Sequence, residues 1–193
     1  MQEVYYIGLD ISTSIIGVCL LDYKENLINL ENINLKKIKC IFDKSLEVQK
    51  YFNELKSRYT ISDKVEISIE EALQSFKRGL SSAKTLSKLT RFNGIVSYLV
   101  YTELSSKPLY ISVNTARKNL QIKINKSSDK STKDQVFEWV RGKENFDWPE
   151  KVLKSGPNKG LVKYDECCYD MSDAYVICKA YLYDKTKINW REI

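Results

Sequence analysis

Two aspartates near the end of the chain, Asp170 and Asp173, stand in an Asp-x-x-Asp spacing within a stretch that has helical periodicity of apolar residues. Residues at this offset share one helical face, with Cβ atoms about 5–6 Å apart. Two more carboxylates, Asp10 and Glu70, come at the ends of runs that read as β-strands. Close carboxylates need a cation, so these four predict one site for divalent metal.

The chemistry expected of such a site is hydrolysis by metal-activated water. Mg²⁺ prefers carboxylate oxygens and retained waters, and two ions about 3.5–4 Å apart can activate water and hold the leaving oxygen. The chain has no His, which excludes a Ser-His-Asp or Cys-His nucleophile and a His general base. Metal-activated water is the predicted nucleophile. Crowded carboxylates should also raise some pKa values and destabilise the metal-free protein.

Composition sets broad limits. The 193 residues, 43% of them hydrophobic, suit a single domain over 1–193. A net charge of +6 is compatible with a polyanionic partner, although ordinary lysine-rich solvation gives the same excess. Five cysteines without a CxxC pair argue against zinc and for reduced thiols. No apolar run approaches the ~20 residues of a membrane span. We expect a soluble, intracellular, cytoplasmic protein, with an organelle left open.

The order of elements predicts an α/β fold in three layers, a mixed sheet covered by helices. A final helix starts near Asp170, and Gly94 in the long helical pattern at 79–104 would permit close helix packing. The predicted elements are, in chain order, strands Val4–Asp10, Ile15–Asp22 and Leu27–Leu35, helix 44–59, strand Val65–Glu70, helix 79–104, strand Leu109–Val113, a helical turn capped at Asn114 or Thr115 and running to Leu120, a helix around Val136–Val140 capped by Ser131, and helix Asp170–Tyr183.

Two segments read as basic loops. Lys123–Lys133 is rich in Lys and Ser and poor in apolar residues, which predicts a mobile loop. The stretch 142–169 predicts a long loop that either binds a ligand or is disordered. It carries Lys143, Lys151, Lys154, Lys159 and Lys163.

Taken together, the acidic motifs resemble those of the RuvC family of Holliday junction resolvases, within the ribonuclease H-like superfamily. Gly8-Leu9-Asp10, followed by a small-residue turn and Gly17, looks like the first-strand motif of that family. Ile69-Glu70-Glu71 looks like the second motif, with Glu70 as the match and Glu71 as the bystander. The segment from Asp170 to Ala174 is similar to the last motif of that family, in which a helix starts with an acidic residue, two variable residues and Asp-Ala.

The resemblance implies a ribonuclease H-like three-layer fold with a mixed five-stranded sheet flanked by helices. It implies a Mg²⁺-dependent endonuclease that cuts a four-way junction or other branched DNA, with two ions per site and Mn²⁺ as an alternative ion. Asp10 would bridge the ions, and Glu70, Asp170 and Asp173 would complete the ligand set. A homodimer is implied as well, with the helix 79–104 as the candidate interface.

The resemblance extends to contacts with DNA. Lys118 and Lys133 look like the two lysines that contact the scissile phosphate in relatives, and Phe76 lies near the position of an aromatic residue that stacks on junction bases. Solvated lysines and a core Phe are the alternative interpretations. The residues assigned to a DNA surface are Phe76, Lys77, Arg78, Lys84, Lys88, Arg91, Lys123, Lys126 and Lys130.

Two departures from the bacterial pattern leave the substrate range open. The 142–169 segment looks longer than its bacterial counterpart, and Ile11-Ser12-Thr13 replaces a common Pro-Gly. Both resemble a viral, phage or organellar branch. Three other functions stay open: a ribonuclease H-like nuclease acting on RNA or an RNA–DNA hybrid, a noncatalytic nucleic-acid-binding protein, and an actin-like ATP-binding fold, against which the chain length argues.

Overall fold

The structure is a computed structural model that describes residues 4–59, 61, 64–71 and 83–188. These residues form seven strands and five helices. Their bounds are β1 Tyr5–Ile11, β2 Ile15–Leu21, β3 Leu27–Asn34, α1 Ile41–Tyr59, β4 Val65–Glu70, α2 Ala83–Leu104, β5 Leu109–Ile111, α3 Val113–Asn119, α4 Thr132–Arg141, β6 Glu150–Val152, β7 Val162–Tyr164 and α5 Cys167–Ile188.

The main sheet has five strands in the order β3-β2-β1-β4-β5. The first three strands form the predicted antiparallel meander, while β4 and β5 run parallel to β1. Antiparallel neighbours can be joined by tight turns, whereas parallel neighbours require a crossover, here supplied by α1 and α2. The predicted α/β fold with a mixed five-stranded sheet is therefore confirmed.

Helices cover both faces of the sheet, and the strand alternation assigns residues to each face. Ile7 and Leu9 pack with Phe52 of α1 and Phe92 of α2 in one core cluster. The intervening positions of β1 and β2 face α5, where Cys19 belongs to a second cluster that includes much of α5 and α4. β2 is buried along its whole length because it has a helical layer on each side.

Glycines at two of these intervening positions let α5 approach the sheet closely. A Cβ atom at Gly8 would lie 2.3 Å from the Ala174 carbonyl oxygen, and one at Gly17 would lie 1.9 Å from that of Asp170. No side chain fits at either position without a shift of the helix. At Gly94, the glycine that the sequence associated with close packing, no atom of the described residues lies within 4 Å of an added Cβ, so no close helix packing forms there in this part of the chain.

Several helix boundaries differ from the sequence expectation because the capping residues differ. Helix α5 begins at Cys167, whose amide donates to Asp165 Oδ1 at 3.0 Å, so Asp170 lies inside the helix and does not cap it. Ser112, rather than Asn114 or Thr115, caps α3, and β5 accordingly ends at Ile111. The predicted Ser131 cap of α4 is confirmed, with a capping box completed by Asp134.

The segment 142–169 is not a loop throughout. It contains a hairpin in which Lys151 of β6 pairs with Lys163 of β7, and Gly156 and Gly160 adopt positive φ in the connection. Each strand has three residues, too few for a detectable alternation, which is why the sequence pattern did not reveal the hairpin. The other basic segment, at 123–131, is hydrogen-bonded onto α4 through the Gln135 side chain.

All five cysteines are free thiols, as the sequence predicted, and Cys19, Cys167, Cys168 and Cys178 are buried. In the part of the chain that the structure describes, no helix is both long and apolar enough to cross a membrane.

We expect Gly17→Ala to lower the free energy of unfolding by about 1–3 kcal/mol or more, since the new methyl group would overlap the main chain of α5. Gly142→Ala is the matched control, because its φ is −75° and the nearest atom to an added Cβ is 3.4 Å away. Urea denaturation of both variants measures the effect. Equal urea midpoints for the two variants would show that the packing of α5 on the sheet does not require a glycine at position 17.

Candidate active site

Asp10 and Glu70 lie side by side at the carboxyl ends of neighbouring parallel strands. Leu9 of β1 is the partner of Ile69 in β4, so the next residue of each strand is one of the two carboxylates. Asp10 also lies opposite Gly17 of β2, and Glu70 lies opposite Ile111 of β5. The strand register therefore places both carboxylates at the carboxyl ends of their strands, as the sequence predicted.

The other two carboxylates reach the same point from α5. Asp170 and Asp173 are one helical turn apart, and the main chain of Asp170 rests against Gly17. Because Gly17 is the cross-strand neighbour of Asp10, this contact sets the N-terminal part of α5 directly beside the end of β1.

The four carboxylates line one cleft of about 270 Å³, which we call the carboxylate cleft. It is formed by residues of the β1–β2 turn, the end of β4, and helices α2, α3, α4 and α5. Its other lining residues are Ile11, Ser12, Glu71, Leu89, Asn93, Val113, Arg117 and Lys133. Hydrogen bonds from Ser12 Oγ to the Ile15 carbonyl oxygen and from the Ile15 amide to Ser12 Oγ fix the turn that follows Asp10.

Burial and mutual repulsion raise the pKa values of the two strand-end carboxyls. The pKa of Asp10 is held well above its ordinary value, first by burial and then by the negative charges of Glu70 and Asp173. Burial also raises the pKa of Glu70, although a hydrogen bond from Asp10 and the positive charges of Arg117 and Lys133 oppose the rise. The two strand-end carboxyls therefore titrate as an interacting pair, and burial is the largest cause of the raised pKa of each.

The α5 carboxyls have raised pKa values too, with burial as the largest cause for each. Lys133 counteracts the rise at Asp170, and Arg117 followed by Lys133 counteracts it at Asp173. Two cations therefore partly balance four carboxylates, and the cleft keeps a strong preference for a further positive charge.

Arg117 is a functional candidate that the sequence interpretation missed. Its Nη2 lies 3.9 Å from Asp173 Oδ1, and its Nε is buried with no hydrogen-bond partner among the described residues. Lys118, the residue chosen by resemblance, is exposed and does not line the cleft. Val113 and Arg117 share one face of α3 at an i, i+4 spacing, and the correct helix start at Val113 would have pointed to Arg117.

Lys133 does line the cleft, and a hydrogen bond connects its helix to α5. The Tyr169 hydroxyl donates to Asp134 Oδ1 at 2.6 Å, joining the residue before Asp170 to the residue after Lys133.

Asn93 is a second residue that the sequence interpretation missed. It is a buried polar side chain on the inner face of α2, and its position among apolar residues of that helix was the available signal.

The donor set of the cleft fits a hard divalent cation, because it consists of carboxylate oxygens and contains no Cys or His ligand. Among the described residues, no three acidic, Cys or His side chains are arranged around a common point as metal ligands.

The remaining residues predicted to contact DNA are dispersed. Phe76, Lys77 and Arg78 lie outside the described residues. Lys84 is exposed on α2, and Lys88 and Arg91 line a separate pocket. Lys123 and Lys126 are exposed beyond the cleft, and Lys130 forms an ion pair with Glu138 at 2.5 Å.

No protein-family model matches this sequence, and no curated protein matches it either. Solved structures do match. The RuvC of Thermus thermophilus in complex with a Holliday junction substrate is 14% identical and superposes with a TM-score of 0.62, covering 95% of this chain and 96% of that one. Another structure of T. thermophilus RuvC has 13% identity and a TM-score of 0.58 with the same coverage. The yeast mitochondrial Holliday junction resolvase Ydc2 has 16% identity and a TM-score of 0.56, covering 96% of this chain and 80% of that one.

The chain therefore has the ribonuclease H-like fold of the RuvC-type Holliday junction resolvases, and the resemblance stated from the sequence motifs is confirmed for the fold. Because the superposition covers nearly the whole chain, the sheet and the helices that carry the carboxylate cleft all belong to this fold.

The raised pKa of Asp10 predicts how the stability of the metal-free protein depends on pH. A carboxyl with a higher pKa in the folded state stabilises the fold below the unfolded pKa of about 3.9, and this contribution is lost as pH rises through the folded value. Urea denaturation in EDTA should therefore give Asp10→Asn a greater stability than the wild type at neutral pH, and the two should converge near pH 4.

Asp129→Asn is the control, because it removes one formal charge from an exposed residue away from the cleft. The lowered pKa values of Asp22, Asp134 and Asp165 give stability an opposite dependence on pH. Because the wild type, Asp10→Asn and Asp129→Asn all contain these three residues, their contribution cancels when the stabilities are compared. Parallel pH profiles for wild type and Asp10→Asn would contradict the raised pKa of Asp10.

Proposed function

We propose that this protein is a divalent-metal-dependent endonuclease that resolves four-way DNA junctions and cuts related branched DNA. The observation that carries the proposal is the meeting of four carboxylates, two from strand ends and two from one helix, in a single cleft of a RuvC-type fold. The RuvC structure solved with a Holliday junction supports this substrate class.

The assignment of roles follows from the position of each group in the cleft. Asp10, Glu70, Asp170 and Asp173 would hold Mg²⁺, with Mn²⁺ as an alternative ion and two ions as the proposed number. When bound, the ions supply Lewis-acid stabilisation of the phosphate and a more acidic water. Because burial raises the pKa of Asp10, metal binding should release protons and should strengthen as pH rises.

Arg117 and Lys133 would receive the scissile phosphate at the edge of the cleft. Phosphodiester oxygens accept hydrogen bonds from a guanidinium in a paired geometry, and Arg117 has a buried N–H that lacks a partner among the described residues. Lys133 adds a second positive charge from the first turn of α4. Together these cations reduce the repulsion between an anionic strand and the carboxylates.

A homodimer is the proposed assembly, because resolution of a four-way junction requires two matched cuts and a twofold dimer presents two clefts. Helix α2 supplies the candidate interface. Tyr98 and Tyr101 are 66% and 58% exposed, and Gly94, one turn before Tyr98, has no described residue within 4 Å of an added Cβ. Leu99 packs partly against the core and is a poorer probe of this interface.

Cleavage of a synthetic four-way junction tests the proposed activity. Linear duplex, single-stranded DNA and an RNA–DNA hybrid serve as the competing substrates, each in Mg²⁺ or EDTA. We expect paired, symmetric, metal-dependent nicks in the junction with the wild type, none with Asp173→Asn, and wild-type cleavage with the exposed control Asp129→Asn.

The competing functions give different patterns in the same assay. Preferential cutting of the hybrid would transfer the proposal to a nuclease acting on RNA–DNA hybrids. Metal-independent binding without cleavage of any substrate would leave a noncatalytic nucleic-acid-binding protein, and the nuclease proposal would be abandoned.

Arg117→Gln should reduce the turnover of junction by about 10²–10³-fold, the usual cost of removing a preorganised group that stabilises transition-state charge. Lys118→Gln, its neighbour on α3, should leave turnover near that of the wild type because Lys118 does not line the cleft. Single-turnover rates at saturating DNA compare the two. A larger loss in Lys118→Gln would return the phosphate contact to the residue suggested by resemblance.

Replacing both Tyr98 and Tyr101 with Asp should convert the dimer to a monomer, because each burial of a charged side chain at an apolar contact is unfavourable. Analytical ultracentrifugation gives the mass, and Tyr23→Asp is the control at another exposed tyrosine. A wild-type protein that sediments as a monomer, or a dimer that survives both changes, would remove α2 as the interface.

A further inference from the structure

A second pocket, of about 360 Å³, lies between the start of α1, the helix α2 and the β1–β2 turn. We call it the basic pocket. It is lined by Thr13, Lys39, Ile41, Lys44, Lys88, Arg91 and Phe92. Four of its seven lining residues are cations and none is acidic, which is the reverse of the charge pattern in the carboxylate cleft.

The four cations are not neutralised by any acidic residue in the described part of the chain. Across residues 4–59, 61, 64–71 and 83–188, none of the four forms an ion pair. The sequence 72–82 contains no Asp or Glu, and Asp43, in the first turn of α1, does not line the pocket. Like charges around one concavity repel one another and create a positive potential that favours an anion.

One of the cations is held in place by the main chain. Lys44 is half-buried, and its Nζ donates a hydrogen bond to the Thr13 carbonyl oxygen in the β1–β2 turn. Lys39, Lys88 and Arg91 are exposed around it. The pocket therefore combines one fixed ammonium group with three accessible cations, above walls formed by Ile41 and the buried ring of Phe92.

The basic pocket and the carboxylate cleft share two structural elements. In the turn, Ser12 lines the cleft and Thr13 lines the basic pocket. On α2, Leu89 and Asn93 line the cleft, whereas Lys88, Arg91 and Phe92 line the basic pocket. Adjacent residues thus face different pockets, so the two concavities are neighbours separated by the turn and by one helix.

We propose that the basic pocket binds a backbone phosphate of the DNA strand whose neighbouring phosphate occupies the carboxylate cleft. This inference rests on the proposed function for the identity of the strand, but it assigns a separate anion site with its own residues. A nucleic-acid strand is favoured over a free anion because it carries phosphates at regular intervals and can occupy two adjacent pockets at once.

Such a site would hold the strand in register without touching the reacting atoms. Phosphate contacts orient a protein on nucleic acid and carry no sequence information directly. Lys39, Lys44, Lys88 and Arg91 are therefore positioning residues, and their main effect should be on binding and on its salt dependence.

The test measures equilibrium binding of the full chain to a synthetic four-way junction in EDTA, where no metal-dependent cutting interferes. The variant Lys88→Gln/Arg91→Gln removes two charges from the pocket, and Lys37→Gln/Lys107→Gln removes two exposed charges elsewhere. Each lost phosphate contact lowers the slope of log affinity against log salt by about 0.9. Between about 50 and about 200 mM salt, the loss of one phosphate contact means that the wild type should lose about 3.5-fold more affinity than the pocket variant.

Two further arms identify the anion. Neutral methylphosphonates placed singly along the strand should weaken the wild type at one or two positions and leave the pocket variant unaffected at those positions. Lys88→Arg, which keeps the charge, should retain the wild-type slope. Thermal unfolding of the protein at increasing concentrations of inorganic phosphate tests whether the pocket is a site for a free anion.

The outcomes separate this inference from the proposed function. A slope that falls in the pocket variant alone supports the basic pocket, even if no DNA is ever cut, in which case the nuclease proposal fails and the pocket remains. Equal slopes for the pocket and control variants overturn the inference whatever the cleavage assay gives. Saturable stabilisation by inorganic phosphate, with DNA slopes unchanged, would reassign the pocket to a free anion and also overturn it.

Discussion

The backbone of α5 lies directly on the sheet at Gly8 and Gly17, and the geometry of the carboxylate cleft depends on this contact. The Asp-x-x-Asp pair supplies two of the four acidic groups, and the close approach of α5 determines how near they come to Asp10. The contact is local in the sheet, since Gly17 is the cross-strand partner of Asp10. A side chain of any size at Gly17 would separate the helix from the strand that completes the cleft.

The same contact creates an electrostatic problem. Bringing four carboxylates together in a partly buried cleft raises their pKa values, which disfavours the fully charged cleft in the protein without metal. Arg117 of α3 and Lys133 of α4 provide further compensation. Neither cation comes from the sheet, so the helices that follow β5 are needed for charge balance as much as for packing.

The sequence allowed the strand-end carboxylates to be predicted because alternating apolar residues mark β1 and β4 and end at Asp10 and Glu70. The Asp-x-x-Asp pair was equally visible from its helical spacing. Arg117 was not found, because choosing it over Lys118 requires the helix start to within one residue. The β6–β7 hairpin was missed because its strands are too short for a periodic signal. The role of Gly8 and Gly17 in packing depends on which helix crosses them, which is a tertiary property that local pattern does not contain.

The hydrogen bond between Tyr169 and Asp134 ties the acidic helix to the basic one. Each partner is the immediate neighbour of a cleft residue, Asp170 on one side and Lys133 on the other. A ligand that fixes α4 through Lys133 therefore also restricts the start of α5. By thermodynamic reciprocity, if a bound polyanion raised the affinity for the metal, the bound metal would raise the affinity for the polyanion by the same factor. Under the proposed function, this phenol–carboxylate bond would couple the binding of the cation to the binding of the nucleic acid.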